Sequence, residues 1–169
     1  FIRVFSFVGR QMPWARRRLK KIDRQYNIPY GPDQNSRLRD HTLDIYRPDS
    51  DPSKMRPAIL YIHGGGFKIL SKETHWGFGL MYAEAGYIVF NINYRLAPEH
   101  PCPAGLEDVT RALMWVLDHG AEYGADIDRL SIAGESAGGN LAVALALITS
   151  RLARPQWAQD LYRRRWTPA

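Results

Sequence analysis

Gly134-Glu135-Ser136-Ala137-Gly138 is preceded by the apolar run Leu130-Ser131-Ile132-Ala133 and followed by Gly139-Asn140 and the aliphatic stretch from Leu141 to Ile148. That order predicts a buried strand, a sharp turn, and a helix that begins beside Ser136 and runs to about Leu152. In this setting the Gly-x-Ser-x-Gly pattern has a steric meaning. A strand that reverses into a helix brings neighbouring backbone against the turn, so the positions two before and two after the serine must lack a side chain. The Ser136 hydroxyl then stands above the strand end, at the positive end of the following helix. A hydroxyl presented in that way is a candidate nucleophile.

Upstream, Ala58 to Ile62 and Tyr87 to Ile92 are continuous apolar runs, as expected for strands covered on both faces. Helices are predicted near Thr74 to Ala85 and over Leu106 to His119, the second with Val109, Leu113, Val116 and Leu117 at helical spacing. Nearer the start, Tyr26 to Tyr30 and His41 to Tyr46 read as short strands, separated by turn chemistry at Gly31-Pro32-Asp33 and Asn35-Ser36. Strands alternating with helices make a largely parallel sheet with crossovers, an α/β domain.

His63-Gly64-Gly65-Gly66-Phe67 directly follows the strand ending at Ile62. Three successive glycines leave backbone N–H groups able to point at an oxygen that becomes negative during acyl transfer. One such donor is typically worth about 2.7–4 kcal/mol of transition-state stabilisation. The N–H of Ala137, just after the nucleophile, would complete the arrangement. The candidate oxyanion residues are therefore Gly64, Gly65, Gly66 and Ala137.

These two stretches, with Asn93-Tyr94-Arg95-Leu96-Ala97-Pro98-Glu99-His100-Pro101 between them, resemble the hormone-sensitive-lipase-like branch of the α/β-hydrolase-fold carboxylesterases. The likeness runs from about Leu43 to Leu147. It implies an α/β-hydrolase fold, a mostly parallel sheet with flanking helices, and a serine hydrolase of short- to medium-chain acyl or aryl esters that uses no metal or cofactor. On that pattern Ser136 is the nucleophile, and Gly65, Gly66 and Ala137 line the oxyanion hole while Gly64 gives the loop its turn. His63 orients the loop and is not the base. Residues 94–99 form a structural loop beside the site. The resemblance divides the chain into an N-terminal flap or cap segment over 1–30, a partial hydrolase domain over 31–152 and a basic tail over 153–169.

One part of the pattern is missing. In this fold an Asp or Glu and then a His follow the nucleophile in chain order. After Ser136 there is a single acid, Asp160, and no histidine, because His41, His63, His75, His100 and His119 all precede it. Asp160 reads as a solvated helix residue, His75 and His119 as helix-surface residues, and His41 as a strand-edge residue. His100, in the proline-rich loop near the site, is the least implausible substitute base. The expectation is the N-terminal part of a serine esterase, shortened at its C-terminal end and inactive in isolation, with the strand before Ser136 left at an exposed edge. The alternatives are a non-catalytic relative that binds a small ligand in the esterase pocket, and an interaction or membrane-surface module.

Composition sets limits on those alternatives. The 169 residues carry a formal charge of +6, distributed as +7 over residues 1–24, −5 over 25–150 and +4 over 151–169. The basic residues thus lie at the two ends and away from the chemical centre. No aromatic-interleaved basic motif supports a nucleic-acid partner. Residues 1–24, with Pro13 opening a helix near Trp14, read as a flap packed over the domain, with peripheral membrane contact through this basic segment as the second reading. No apolar run reaches the roughly 18 residues that span a bilayer. Cys102 is the sole cysteine, reads as a passive thiol, and fits a reducing, cytoplasmic setting.

Overall fold

The computed structural model describes residues 9–31, 39–48, 51 and 54–149. The readings placed on Pro32-Asp33, Asn35-Ser36, Asp160 and the tail over 153–169 lie outside the described residues, as does the apolar start over 1–8.

Among the described residues five strands form one sheet: β1 (Asp23–Pro29), β2 (Thr42–Arg47), β3 (Arg56–Ile62), β4 (Ile88–Ile92) and β5 (Ala125–Gly134), in the order β1-β2-β4-β3-β5. β3 runs parallel to both β4 and β5, whereas β1–β2 and β2–β4 are antiparallel. The parallel part, where crossovers bring loops to a common end, therefore holds the three strands whose apolar runs are continuous.

Alternation along the strands assigns their two faces. Ala58, Leu60 and Ile62 of β3, with Ile88, Phe90 and Ile92 of β4, pack beneath α3 (Ala104–His119) and α4 (Ala137–Thr149). Ile59, Tyr61 and Val89 point the other way, against α1 (Pro13–Leu19) and α2 (Trp76–Glu84). The sheet is thus the middle of three layers, which is why β3 and β4 are apolar at both odd and even positions. In α3, Val109, Ala112, Leu113 and Val116 are buried, while Leu117 is only half-buried against the same cluster.

Two expectations change in detail. β5 begins at Ala125, earlier than the apolar run suggests, and its burial is uneven because β3 is its sole partner among the described residues. α4 buries Leu141, Leu145 and Ile148, but Val143 and Leu147 are exposed, so the aliphatic stretch is covered on one side only. α1 starts at Pro13 and sets Ala15 and Leu19 into the α2-side core, with Trp14 stacked on Trp76. Arg16, Arg17 and Arg18 stay exposed, and Arg18 forks onto the Glu84 carboxylate. No helix among the described residues is long and apolar enough to cross a membrane.

Candidate active site

The parallel pairing of β3 with β5 sets Ile62 opposite Gly134, so two chain segments leave the sheet at the same level: the glycine loop after Ile62 and the turn containing Ser136. Gly138 lies so close to the end of β3 that a methyl group there would sit 2.1 Å from the Ile62 carbonyl oxygen. Glycine is required at this position by contact rather than by flexibility. Ser136 has φ +53°, a left-handed conformation that costs a non-glycine residue roughly 1–3 kcal/mol and persists only where the surroundings enforce it. The N–H of Gly138 donates to the Glu135 carbonyl and that of Asn140 to the Ser136 carbonyl, which closes the first turn of α4. The serine is exposed at the head of that helix.

In the facing loop, Gly65 and Gly66 adopt φ +117° and +60°. Among the described residues neither donates its N–H to another group, although the Gly65 carbonyl accepts from both Lys68 and Ile69. Gly64 behaves differently. Its N–H donates to Glu135 Oε1 at 2.5 Å, so this amide is already occupied. The inclusion of Gly64 among the oxyanion donors is corrected on that ground. Gly64 does have a steric reason to be glycine, because a Cβ there would fall 2.4 Å from the Glu135 carboxylate.

His63 is 1% exposed, stacks on Tyr94 with ring centres 4.5 Å apart, and brings Nδ1 to 2.7 Å from the Gly64 carbonyl. Tyr94 in turn donates its hydroxyl to the His63 carbonyl at 2.9 Å. Burial lowers the His63 imidazole to about 4, with the Gly64 hydrogen bond opposing that shift. The ring is therefore neutral at physiological pH and donates from Nδ1 to its own loop.

Three of the other four histidines are also committed elsewhere. His75 is not a helix-surface residue. Its side chain is 10% exposed, with Nε2 3.0 Å from Glu135 Oε1. His41 precedes β2 in a short 3-10 turn, and burial at 7% replaces the strand-edge reading; its Nε2 meets Asp108 Oδ1 at 3.0 Å. His119 stays on the surface with Glu122. His100 is exposed and lines a cavity with Gly66, Phe67, Leu106 and Leu141. Among the described residues no histidine ring hydrogen-bonds Ser136.

That cavity has a volume of 390 Å³ and mostly apolar walls, and lies between the glycine loop, the segment after β4 and the first turns of α3 and α4. Its floor is braced by Asp108, wholly buried, which accepts from the Arg95 backbone N–H, the Arg95 guanidinium, Arg111 and His41. The Phe67 carbonyl accepts the Ala97 N–H at 2.8 Å, tying the glycine loop to the same segment. A second brace lies just past the loop. Lys72, 1% exposed, sets Nζ 2.6 Å from Asp44 and 2.8 Å from the Asn27 side chain. Lys72 and Glu135 had no signal in sequence. Ser71-Lys72-Glu73-Thr74 reads as a solvated polar run, and Glu135 occupies a variable position of the serine motif.

Comparison with known proteins agrees with this geometry. A family model described as alpha/beta hydrolase fold matches residues 59–161. The esterase LipI of Mycobacterium tuberculosis is 41% identical over 143 residues, covering 78% of this chain and 43% of LipI. The carboxylesterase NlhH of the same organism is 42% identical over 119 residues, covering 70% of this chain and 37% of NlhH. The crystal structure of esterase B from Lactobacillus rhamnosis, inhibited by a tributyrin phosphonate, superposes with a TM-score of 0.73 at 25% identity, covering 93% of this chain and 52% of that one. The chain thus spans less than half the length of the curated relatives.

Proposed function

The chain belongs to the alpha/beta hydrolase fold family and its carboxylesterase branch, and from that premise we propose that it carries the nucleophile and oxyanion half of a serine carboxylesterase. Ser136 attacks the ester carbonyl. The N–H groups of Gly65, Gly66 and Ala137 receive the oxygen as it becomes negative, and His63 holds the loop in register. The observation that supports this reading is the pairing of Ile62 with Gly134, from which two segments leave the sheet at one level: a turn holding a serine at φ +53°, and a loop with two glycine amides that have no partner among the described residues. A binding-only relative would have no use for that strain. The apolar cavity beside Gly66 suits the acyl or aryl part of a short- to medium-chain ester.

Every histidine of the sequence precedes Ser136, and none of them faces its hydroxyl among the described residues. A serine without a base is a weak nucleophile at neutral pH. An oxyanion hole and binding alone leave only about 10³–10⁴ over water. The 169-residue polypeptide is therefore proposed to be inactive, with turnover dependent on an acid and base supplied from outside it. Prolonged exposure to a fluorophosphonate, read by mass spectrometry, is expected to place one adduct on Ser136 and none in Ser136→Ala, while p-nitrophenyl butyrate is turned over negligibly. An adduct elsewhere removes the nucleophile assignment. Turnover rivalling a complete esterase, and lost in Ser136→Ala, overturns the missing base.

A further inference from the structure

We propose that His75 is a positioning residue for the oxyanion hole, acting through Glu135 as a pin between the serine turn and the glycine loop. The inference rests on the reading of Gly65, Gly66 and Ala137 as oxyanion donors. Glu135 stands immediately before Ser136, yet its carboxylate reaches across to the other side of the site. Oε1 accepts the Gly64 N–H at 2.5 Å and lies 3.0 Å from His75 Nε2. One oxygen thus joins three segments: the turn after β5, the loop after β3 and the start of α2.

The far side of the His75 ring fixes its orientation. Nδ1 lies 3.0 Å from the Ser71 carbonyl and 2.9 Å from Thr74 Oγ1. Thr74 Oγ1 donates its own hydrogen to the Ser71 carbonyl at 2.7 Å, so it faces Nδ1 as an acceptor. Both ring nitrogens consequently lie against acceptors, which hold the ring between the Ser71 carbonyl and the Glu135 carboxylate. The ring faces are closed by His63 at 5.5 Å and Phe78 at 5.9 Å, with Tyr61 at 6.4 Å. Of these neighbours His63 is neutral for the reason given above, and Glu135 is the carboxylate in direct contact.

A carboxylate next to a nucleophilic serine opposes the build-up of negative charge that acyl transfer requires. Pairing it with the Gly64 amide and the His75 ring turns that charge away from the oxyanion and into a strut. Because the same strut occupies Gly64, the loop offers only Gly65 and Gly66 to the substrate, and their spacing from Ala137 is set by where Glu135 is held. Displacement of a reacting group by about 1 Å can cost 10²-fold in rate, so a side chain outside the oxyanion contacts would govern how well the hole fits.

The test uses the full chain, ¹⁵N-labelled, at neutral pH. Two readouts are followed: the Gly64 amide proton shift, and the affinity of butylboronic acid, whose boron adds the Ser136 oxygen with release of a proton and presents a tetrahedral anion to the hole. His75→Gln keeps a donor at the Nε2 position but loses the ring. His75→Phe keeps the ring stack but loses the donor. The pin requires that His75→Gln stay within about twofold of the parent in boronate affinity while His75→Phe binds about tenfold more weakly and shifts Gly64 upfield. Should His75→Phe lose its dispersed spectrum, Glu135→Gln, which keeps size and an acceptor oxygen, gives the same upfield move. Parent-like behaviour of His75→Phe in both readouts, or equal weakness of the two His75 variants, overturns the proposal in favour of a packing role. If the boronate moves none of the Gly65, Gly66 and Ala137 amides in the parent while His75→Phe still shifts Gly64, the pin stands and the esterase reading falls.

Discussion

Two polar regions lie at the C-terminal ends of the parallel strands, and they are built in opposite ways. The rim around Ser136 is exposed, holds positive φ at Gly65, Gly66, Phe67 and Ser136, and leaves the Gly65 and Gly66 amides without acceptors among the described residues. The brackets behind it are more buried and spend their charges on one another: Asp108 is shared by Arg95, Arg111 and His41, and Lys72 is held by Asp44 and Asn27, although His41 Nδ1 has no partner among the described residues. Strain and unsatisfied donors persist only where surrounding structure over-determines them. The contrast teaches that the rim keeps its hydrogen-bonding capacity for a ligand because the brackets have used theirs on the fold.

The most severe way to break that comparison is to empty a bracket. Asp108→Ala leaves Arg95 and His41 without their buried carboxylate and is expected to lower the unfolding free energy by about 3–5 kcal/mol. Ser136→Ala should change it by no more than about 0.5 kcal/mol. Urea unfolding of the two variants side by side decides the matter; similar losses would mean the rim is as structural as the bracket.

Acid distinguishes the regions next. The folded state holds His63 at about 4, below its ordinary 6.5, so it binds fewer protons there than the unfolded chain does. The resulting stability is complete above 6.5 and fades as the pH falls towards 4, by about 3 kcal/mol. Asp108 is also held below its usual value, against the pull of burial, by its hydrogen bonds to His41 and Arg95. Its contribution therefore survives until the pH drops below the ordinary carboxylate range. Unfolding measured from neutral pH down to 4 is expected to show the first loss, and His63→Gln, which takes no proton, should abolish that slope. A slope retained in His63→Gln would assign the acid sensitivity to another group.

Strain at the rim gives a smaller effect of opposite sign. Ser136→Gly removes the side chain held at φ +53° and is expected to raise stability by about 1 kcal/mol while deleting the proposed nucleophile. A melting temperature at or below that of the parent would show that the turn is not strained by its serine. Smallest of all is the exposed fork of Arg18 on Glu84, where Arg18→Ala should leave the melting temperature close to that of the parent. A larger loss would make the flap contact a third bracket.

Much of the scaffold was legible in the sequence because apolar periodicity reports which face of an element is covered. The runs at Ala58 to Ile62 and Tyr87 to Ile92 gave buried strands, and the spacing of Val109, Leu113 and Val116 gave α3. Ser136 and the glycines were legible for a different reason, since close backbone approach and positive φ leave few residues that fit. The two histidine readings that changed both concern polar contacts. His75 and His41 looked like surface or edge residues because a single polar side chain beside an apolar stretch carries no mark of a partner far away in sequence. Lys72 was hidden in the same way inside a polar run.

The order of residues by itself determined the alternation of strands and helices, the tight turn at Ser136 and the glycine loop after Ile62. Each of these follows from constraints that act within a few residues of chain. Only the tertiary structure decided that Gly64 is spent on Glu135, that His75 stands behind that carboxylate, and that Asp108 and Lys72 brace the loops. Those pairings join groups that lie 13 or more residues apart in most cases, up to 71 for Gly64 and Glu135. A polar group finds its partner according to which strands and loops adjoin, and that is fixed by the order and register of the sheet rather than by any local pattern.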